Sequence, residues 1–426
     1  MKHLLFLSYF FPPHGGGGVL RPVETVRFLE DYGWRATVIA GPRQGYWLED
    51  PGLQTRVPAQ TAVVHTRALT GPQVMRFLGR KAKEGACEGR SERTIGWFRR
   101  LTDWLPLPDV YAGWIPFACA SALKYAAGAD CILSTSPPES AHLAGWYLAR
   151  KTGKRWIADF RDPWVRGIYR RYPTGMQKGF QERLERLVVE RADMLVATTE
   201  QAVADFRSRY PGLPGEKFRF IPNGFDPAEF HNLKNTAPRH PPLKIIHAGG
   251  LVLARNPEPL FQALIQLNKE KENCCRLELV GVFNPHFRAK AKAMGLGSAV
   301  TFTEYLPRKE VLNRISGSHL GFLLESFSPG AELVVPGKFY DYLGAGLPVL
   351  ALVPQGAAAE AVNRTGSGLA ITEPDSGKIA AALRNFLERL ENGRELLDRL
   401  PDQEQVSSYE RAQLVRILAD LLEGVQ

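Results

Sequence analysis

No stretch of this chain approaches the roughly eighteen consecutive apolar residues that a membrane-spanning helix needs, so the sequence predicts no integral membrane segment. Cysteine is scarce: five residues, at positions 87, 119, 131, 274 and 275, with no C-x-x-C pair and no histidine at zinc-finger spacing. That scatter argues against a disulfide framework or a zinc module and fits reduced thiols in a cytoplasmic protein. An aspartate-rich metal motif, a P-loop Gly-Lys-Ser/Thr and a spaced dinucleotide fingerprint are all missing. So are internal repeats and low-complexity tracts. The pI near 9.3 invites a nucleic-acid reading, but no recognition helix, zinc module or RNA-binding aromatic motif accompanies it, and no nucleic-acid partner is expected.

What is present is the composition of a globular protein, 44% apolar and 23% charged over 426 residues, enough for two domains with full cores. The opening Met1 to Phe11 runs at once into Pro12-Pro13 without a small-residue cleavage site, and reads as a buried first strand. Apolar strand-like runs then alternate with amphipathic stretches: Leu4 to Tyr9, Ala36 to Ala40, Ala62 to Thr66, Cys131 to Ser134, Trp156 to Asp159, Met194 to Thr198 and Phe218 to Ile221. The turn residues Pro222-Asn223-Gly224-Phe225-Asp226-Pro227 interrupt them, and the pattern restarts at Leu243 to Ala248, Arg276 to Val280, Val300 to Thr303, Leu320 to Leu324, Val349 to Leu352 and Gly368 to Ile371. Such alternation predicts α/β architecture with two doubly wound, mostly parallel sheets. The domains are expected at 1–225 and 243–405, joined by a linker at 226–242, with a last helix in 406–426.

The formal charge of +10 is uneven: residues 1–220 carry about 32 basic against 21 acidic groups, about +11, and the rest is near −1. Part of it lies in residues 74–124, where Arg80, Lys81, Lys83, Arg90, Arg93, Arg99 and Arg100 mix with Trp97, Phe98, Trp104, Trp114 and Phe117. This stretch is either a helical insertion with a solvated basic face or a patch that docks on an anionic membrane.

Two glycine-bearing segments follow predicted strands. Gly15 to Gly18 precede a helix that ends near Gly33, a setting in which backbone N–H groups and the helix dipole favour an anion such as a diphosphate. In the second half, His247-Ala248-Gly249-Gly250-Leu251 closes a strand and Arg255 follows at the edge where open α/β sheets bind ligands. Further on, Pro336-Gly337 opens a helix whose first turn sets Lys338 and Asp341 three apart, so a cation and a carboxylate are expected at one place.

With those residues in view the chain resembles the retaining GT-B glycosyltransferases of family 4 over nearly its whole length. The likeness rests on Ile221-Pro222-Asn223-Gly224-Phe225-Asp226, on the Gly249 to Arg255 spacing and on the Lys338 to Val349 block. Ser134-Thr135-Ser136-Pro137-Pro138, followed by Trp156-Ile157-Ala158-Asp159-Phe160-Arg161-Asp162-Pro163-Trp164, resembles the branch that builds bacterial surface polysaccharides. The resemblance implies a GT-B fold: two Rossmann-like domains facing a cleft, with the C-terminal helix, containing Tyr409 and Glu410, crossing back to the N-terminal domain. It also implies a nucleotide-sugar donor, a UDP-sugar, and a lipid-linked or saccharide acceptor. Retention of configuration follows from it; the missing aspartate-rich motif leaves no obligatory metal ion or other cofactor expected, and the basic aromatic segment together with the family branch points to the cytoplasmic face of the inner membrane.

Gly16, Gly17, Gly18, Gly249, Gly250, Arg255, Tyr305, Glu332, Lys338 and Asp341 are the residues expected at the donor, and Arg255 and Lys338 are expected to stabilise the leaving diphosphate. Asp159, Arg161 and Asp162 at one strand end are either a structural ion pair or catalytic, Asp162 or Asp159 orienting the acceptor hydroxyl while Arg161 sets its charge or meets phosphate. Asp341 stands where the family has its ribose-binding acid. The chain departs from the family at Gly250, where an arginine is usual, at Leu333, where the first of two glutamates is expected and Glu332 lies one residue early, and at Arg161, near the usual histidine. His142 reads as a core or helix-surface residue. A sugar-nucleotide epimerase or phosphorylase, or a non-catalytic scaffold, remain the alternatives on such an architecture.

Overall fold

The computed structural model describes residues 1–44, 48–69, 108–168, 170, 172–233, 235–252 and 254–424. It divides into two compact units, Met1–Ile221 with Val415–Gln426, and Pro222–Leu414. Each unit is built on one parallel sheet, so its strands are covered on both faces and read as continuous apolar runs.

The first unit holds β1 (Lys2–Leu7), β2 (Trp34–Ala40), β3 (Ala62–His65), β4 (Cys131–Ser136), β5 (Arg155–Phe160), β6 (Met194–Ala197) and β7 (Phe218–Phe220), in the spatial order β3-β2-β1-β4-β5-β6-β7. The second holds β8 (Leu243–Ala248), β9 (Cys275–Val280), β10 (Val300–Thr303), β11 (Leu320–Leu324), β12 (Val349–Leu352) and β13 (Gly368–Ile371), in the order β10-β9-β8-β11-β12-β13. These are the thirteen runs read from the sequence, with ends moved by one or two residues; β8, β10, β11, β12 and β13 start and stop where the pattern placed them. Register is parallel throughout, for example Leu5 opposite Thr37 on one side and Ile132 on the other.

Three of the helices that cover the sheets start at side-chain caps: Thr174 accepts from the amide of Gln177, Thr199 from that of Ala202, and Asp375 from those of Gly377 and Lys378. Their apolar faces cover the sheets. Leu5, Ile132, Trp156, Leu148 and Val188 belong to the first core, and Ile245, Leu277, Phe322, Leu264 and Leu383 to the second. Each such side chain stabilises its unit by about 1.5–3 kcal/mol on burial.

In each sheet the strand order reverses once, between β1 and β4 in the first unit and between β8 and β11 in the second. The segments leaving those strands at their carboxyl ends flank a crevice, the place where open α/β sheets take ligands.

The segment after Ile221 packs on the second unit. The amide of Phe225 donates to the carbonyl of Tyr409 (3.1 Å), that of Arg411 to Phe225 (2.8 Å), and the Arg411 guanidinium to the carbonyl of Gly224 (2.7 Å). A Cβ on Gly224 would sit 2.0 Å from the Tyr409 carbonyl oxygen, so the chain can pass there only as glycine. A final helix runs Arg411–Glu423, and its residues from Val415 belong to the first unit. It starts inside the stretch 406–426 expected for it, because Gln403–Ser407 form a short helix of their own.

Residues 74–107 of the basic, aromatic segment lie outside the described residues. Trp114 is no surface anchor: it is fully buried, and its indole donates to Thr66 Oγ1 (2.7 Å). Among the described residues no helix is long and apolar enough to cross a membrane. Four cysteines, Cys119, Cys131, Cys274 and Cys275, are buried free thiols; Cys87 lies outside the described residues.

Candidate functional site

In the first unit the glycine loop leaves β1 and opens the helix Gly17–Leu29. Gly16 has φ +92°, a left-handed backbone that favours glycine, while Gly17 and Gly18 are exposed on the first helical turn, where N–H groups have no acceptor within the helix. Arg161, just past β5, binds this loop to the end of β4. Its guanidinium donates to the carbonyls of Ser136 (2.7 Å), Pro137 (2.6 Å) and Gly18. Its hydrogen-bond partners are these three neutral carbonyls, and burial pushes its pKa down against the nearby charges of Asp159, Asp162 and Glu139.

Asp159 does not pair with Arg161. It accepts from Arg21 through both oxygens (3.1 and 2.8 Å) and from Thr135 Oγ1 (2.8 Å), and both partners of the ion pair are nearly buried. Burial would raise the Asp159 pKa, but Arg21, Thr135 and Arg161 together hold it below the ordinary value. All the hydrogen-bonding capacity that Asp159 shows is turned inward, whereas Asp162 is exposed. His142 is a core residue: 0% exposed, its Nδ1 is 2.8 Å from Ser134 Oγ, its ring 4.3 Å from that of Phe160, and burial pushes its pKa down to about 3.

In the second unit Gly249, Gly250 and Arg255 leave β8, and Glu325 leaves β11, on the two sides of the strand-order reversal. Arg255 meets Glu325 in a forked pair (2.9 and 2.7 Å), with Glu325 only 1% exposed. Lys338, at the start of the helix Lys338–Gly344, sends its amine to His247 Nε2 (2.9 Å). Gly249 has φ +140°, and a Cβ there would lie 2.9 Å from Lys338 Cε, so the absence of a side chain opens the path of the lysine. Burial, then the positive charge of Arg255, push Lys338 well below its ordinary pKa, against the pull of Glu325 and Asp341.

Lys338 and Asp341 share a helical turn but do not meet as the spacing suggested. Asp341 Oδ1 accepts from Arg308 (2.9 Å), which itself forks onto Glu229 (2.6 and 2.7 Å), and burial raises the Asp341 pKa. Each side chain instead meets a partner brought in by another element, Lys338 the His247 ring of β8 and Asp341 the Arg308 guanidinium. Glu332 accepts from the amide of Gly330 (2.8 Å), and Tyr305 follows β10 in a half-buried loop. The structure thus gathers Gly249, Gly250, Arg255 and Lys338 at one crevice and Gly16, Gly17, Gly18 and Arg161 at the other. A cavity of about 590 Å³ in the first unit lies elsewhere, lined by Arg207, Arg219, Ile417 and Asp420 among others, and none of the candidate residues reaches it.

Residues 16–224 match the family model described as a glycosyl transferase 4-like domain, and residues 230–400 match that of the glycosyl transferases group 1. The chain belongs to the GT-B glycosyltransferases. No curated protein sequence matches it. Solved structures of similar fold include sucrose-phosphate synthase from Thermosynechococcus elongatus (TM-score 0.68, 16% identity, covering 100% of this chain and 99% of the other). Anabaena HepE, crystallised in complex with UDP, superposes with a TM-score of 0.67 at 15% identity over 100% of both chains. A point mutant of TarM from S. aureus, in complex with fondaparinux, alpha-GlcNAc-glycerol and UDP, does so at 0.65 and 9% identity, over 99% of this chain and 100% of the other. At these identities the likeness establishes the fold.

Four residues of this glycosyltransferase escaped the reading of its sequence. Arg21, Glu325 and Arg308 are the partners of Asp159, Arg255 and Asp341, distant in sequence by 138, 70 and 33 positions, and a single sequence carries no signal of such pairings. His247 stood inside the quoted strand end, one residue before Ala248, and only its contact with Lys338 gives it a role. As a chemical arrangement, the second crevice offers, among the described residues, a guanidinium and a buried amine that can take up a proton, against one contacting carboxylate and beside a bare glycine backbone, which suits an anion.

Proposed function

We propose that this glycosyltransferase moves a sugar from a UDP-sugar to a lipid-linked or saccharide acceptor with retention of configuration, in the building of a cell-envelope polysaccharide. The observation that carries the reading is the crevice of the second unit: a buried amine and a guanidinium meet beside Gly249 at the carboxyl ends of β8 and β11, with Glu325 neutralising only Arg255. A diphosphate seated there meets the Arg255 guanidinium and the Lys338 amine, and its charge favours the ammonium form of the lysine. As the bond to the sugar breaks, charge accumulates on the leaving diphosphate, and fixed cations in a water-poor site stabilise it more than they stabilise the bound donor. Asp341 Oδ2, which no described residue contacts by hydrogen bond, is available to a ribose hydroxyl, while Oδ1 is anchored by Arg308. Glu332, Tyr305 and Gly250 complete the donor set in this reading.

The glycine loop, with Gly18 held by Arg161, offers amides to an anion, and Asp162, exposed at the end of β5, is the carboxylate that meets an acceptor hydroxyl. Retention follows from the family resemblance, with the acceptor entering on the face the diphosphate leaves. No divalent ion is required in this scheme, and attachment through residues 74–124 to the inner membrane surface would bring the enzyme to a lipid-linked acceptor. Complexes of HepE and TarM with UDP support the choice of base.

The test is nucleotide binding followed by transfer. UDP is expected to raise the thermal midpoint of the wild-type protein, Lys338→Met to reduce that shift, and transfer from a UDP-sugar to persist in EDTA. If UDP, GDP and their sugars all leave the midpoint unchanged, the donor site is misassigned; conversion of a UDP-sugar to its epimer without acceptor would favour an epimerase.

A further inference from the structure

The lysine of the donor crevice has an unusual partner. His247 is 0% exposed and sits near the end of β8. Its Nδ1–H donates to the carbonyl of Phe322 in β11 (2.9 Å), which fixes the tautomer and leaves the Nε2 lone pair facing Lys338 Nζ at 2.9 Å. The imidazole therefore spans the two strands that flank the strand-order reversal and presents a neutral acceptor to the amine.

A carboxylate in that position would fix a permanent ammonium. A neutral imidazole does not. The charged and titratable groups that face Lys338 are His247 from β8, Arg255 from the loop after it, Glu325 from the loop after β11 and Asp341 on its own helix. Glu325 is committed to Arg255 through both oxygens, and Asp341 to Arg308, so neither carboxylate contacts the amine.

We propose that His247 is a positioning residue for Lys338, aiming its buried amine past Gly249, and that arrival of a phosphate anion there draws one proton from solvent onto Nζ. The inference rests on the donor-site reading given above. Burial and Arg255 disfavour the ammonium in the empty site; the negative charge of the ligand reverses that balance. Proton and anion then bind together, and release of the nucleotide product returns the proton to solvent. The sign is fixed by this linkage: wherever the empty site binds fewer protons than the occupied one, affinity for the anion falls as pH rises, by at most tenfold per pH unit. Lys338 stays the group that touches the ligand, and His247 acts through it.

Calorimetric titration of the full chain with UDP near pH 8.5, well above the second phosphate pKa of about 6, in two buffers of different ionisation enthalpy, measures the proton directly. Uptake close to one proton per UDP is expected for the wild type and close to zero for Lys338→Met. His247→Leu, which removes the acceptor, is expected to weaken UDP binding by about tenfold, the scale of one lost hydrogen bond, and to shift its pH profile. His247→Gln keeps an acceptor oxygen and an N–H donor and is expected to retain both affinity and uptake, which separates positioning from a general loss of stability. UDP binding without proton uptake in the wild type, or with undiminished uptake in Lys338→Met, would overturn the proposal while leaving the donor site standing; no UDP binding at all would remove both.

Discussion

Arg255→Met perturbs the crevice of the second unit at the point where its charges are balanced. In the native protein Glu325, 1% exposed, receives two hydrogen bonds from Arg255 at 2.9 and 2.7 Å. Removing the guanidinium leaves a carboxylate in a site closed to water with only the Ser326 amide at 2.8 Å in compensation. Breaking one partner out of a buried pair costs about 3–5 kcal/mol, whereas replacing both by apolar groups is near neutral or better. The variant should therefore destabilise the second unit by about that amount, a fall of roughly 6–20 °C in its thermal midpoint at about 2–4 °C per kcal/mol. Arg255→Met combined with Glu325→Leu should recover most of the loss. UDP binding behaves differently: both variants lack a charge-assisted donor, worth about 1.5–3 kcal/mol, so affinity should fall by roughly 10–150-fold in each. The single variant is further handicapped because its unpaired carboxylate attracts Lys338 away from the ligand. Differential scanning calorimetry and UDP titration on the wild type and the two variants check this directly. A single variant that loses less than about 1 kcal/mol, or a double variant no more stable than the single one, would refute the reasoning.

Gly249→Ala places a methyl group 2.9 Å from Lys338 Cε on a backbone at φ +140°, so a cost of about 1–3 kcal/mol in stability is expected together with displacement of the amine from its path, seen as weakened UDP binding. Unchanged affinity would show that Lys338 reaches the ligand by another route. Arg21→Met removes the cation that holds Asp159 below its ordinary pKa against the opposing effect of burial. In the native protein that depression contributes stability which is complete above the unfolded value of about 3.9 and is lost as pH falls through the lower folded pKa. The variant should therefore unfold in acid at a higher pH than the wild type, as followed by circular dichroism; coincident acid transitions would show that the pair contributes nothing to the first unit.

The sequence carried the fold because a parallel sheet covered on both faces writes each strand as an apolar run, and turn residues at Pro222 to Pro227 punctuate the two sets of runs. All thirteen strands were legible for that reason. Glycines at strand ends were legible too, since Gly16 and Gly249 mark backbone conformations that other residues rarely adopt. Pairings were not. The three-residue spacing of Lys338 and Asp341 suggested a shared site, yet burial sends one to His247 and the other to Arg308. Asp159 and Arg161 lie two apart at one strand end, and only their surroundings decide that the first is locked by Arg21 while the second clamps Gly18.

By itself the sequence determined two α/β units, their strands and the positions where backbone must stay bare, because those follow from local periodicity and from the geometry of single residues. Tertiary structure decided which cation neutralises which carboxylate and which one is left for a ligand. That choice depends on desolvation and on groups brought together from 33 to 138 positions apart, and neither quantity is written in the order of the residues.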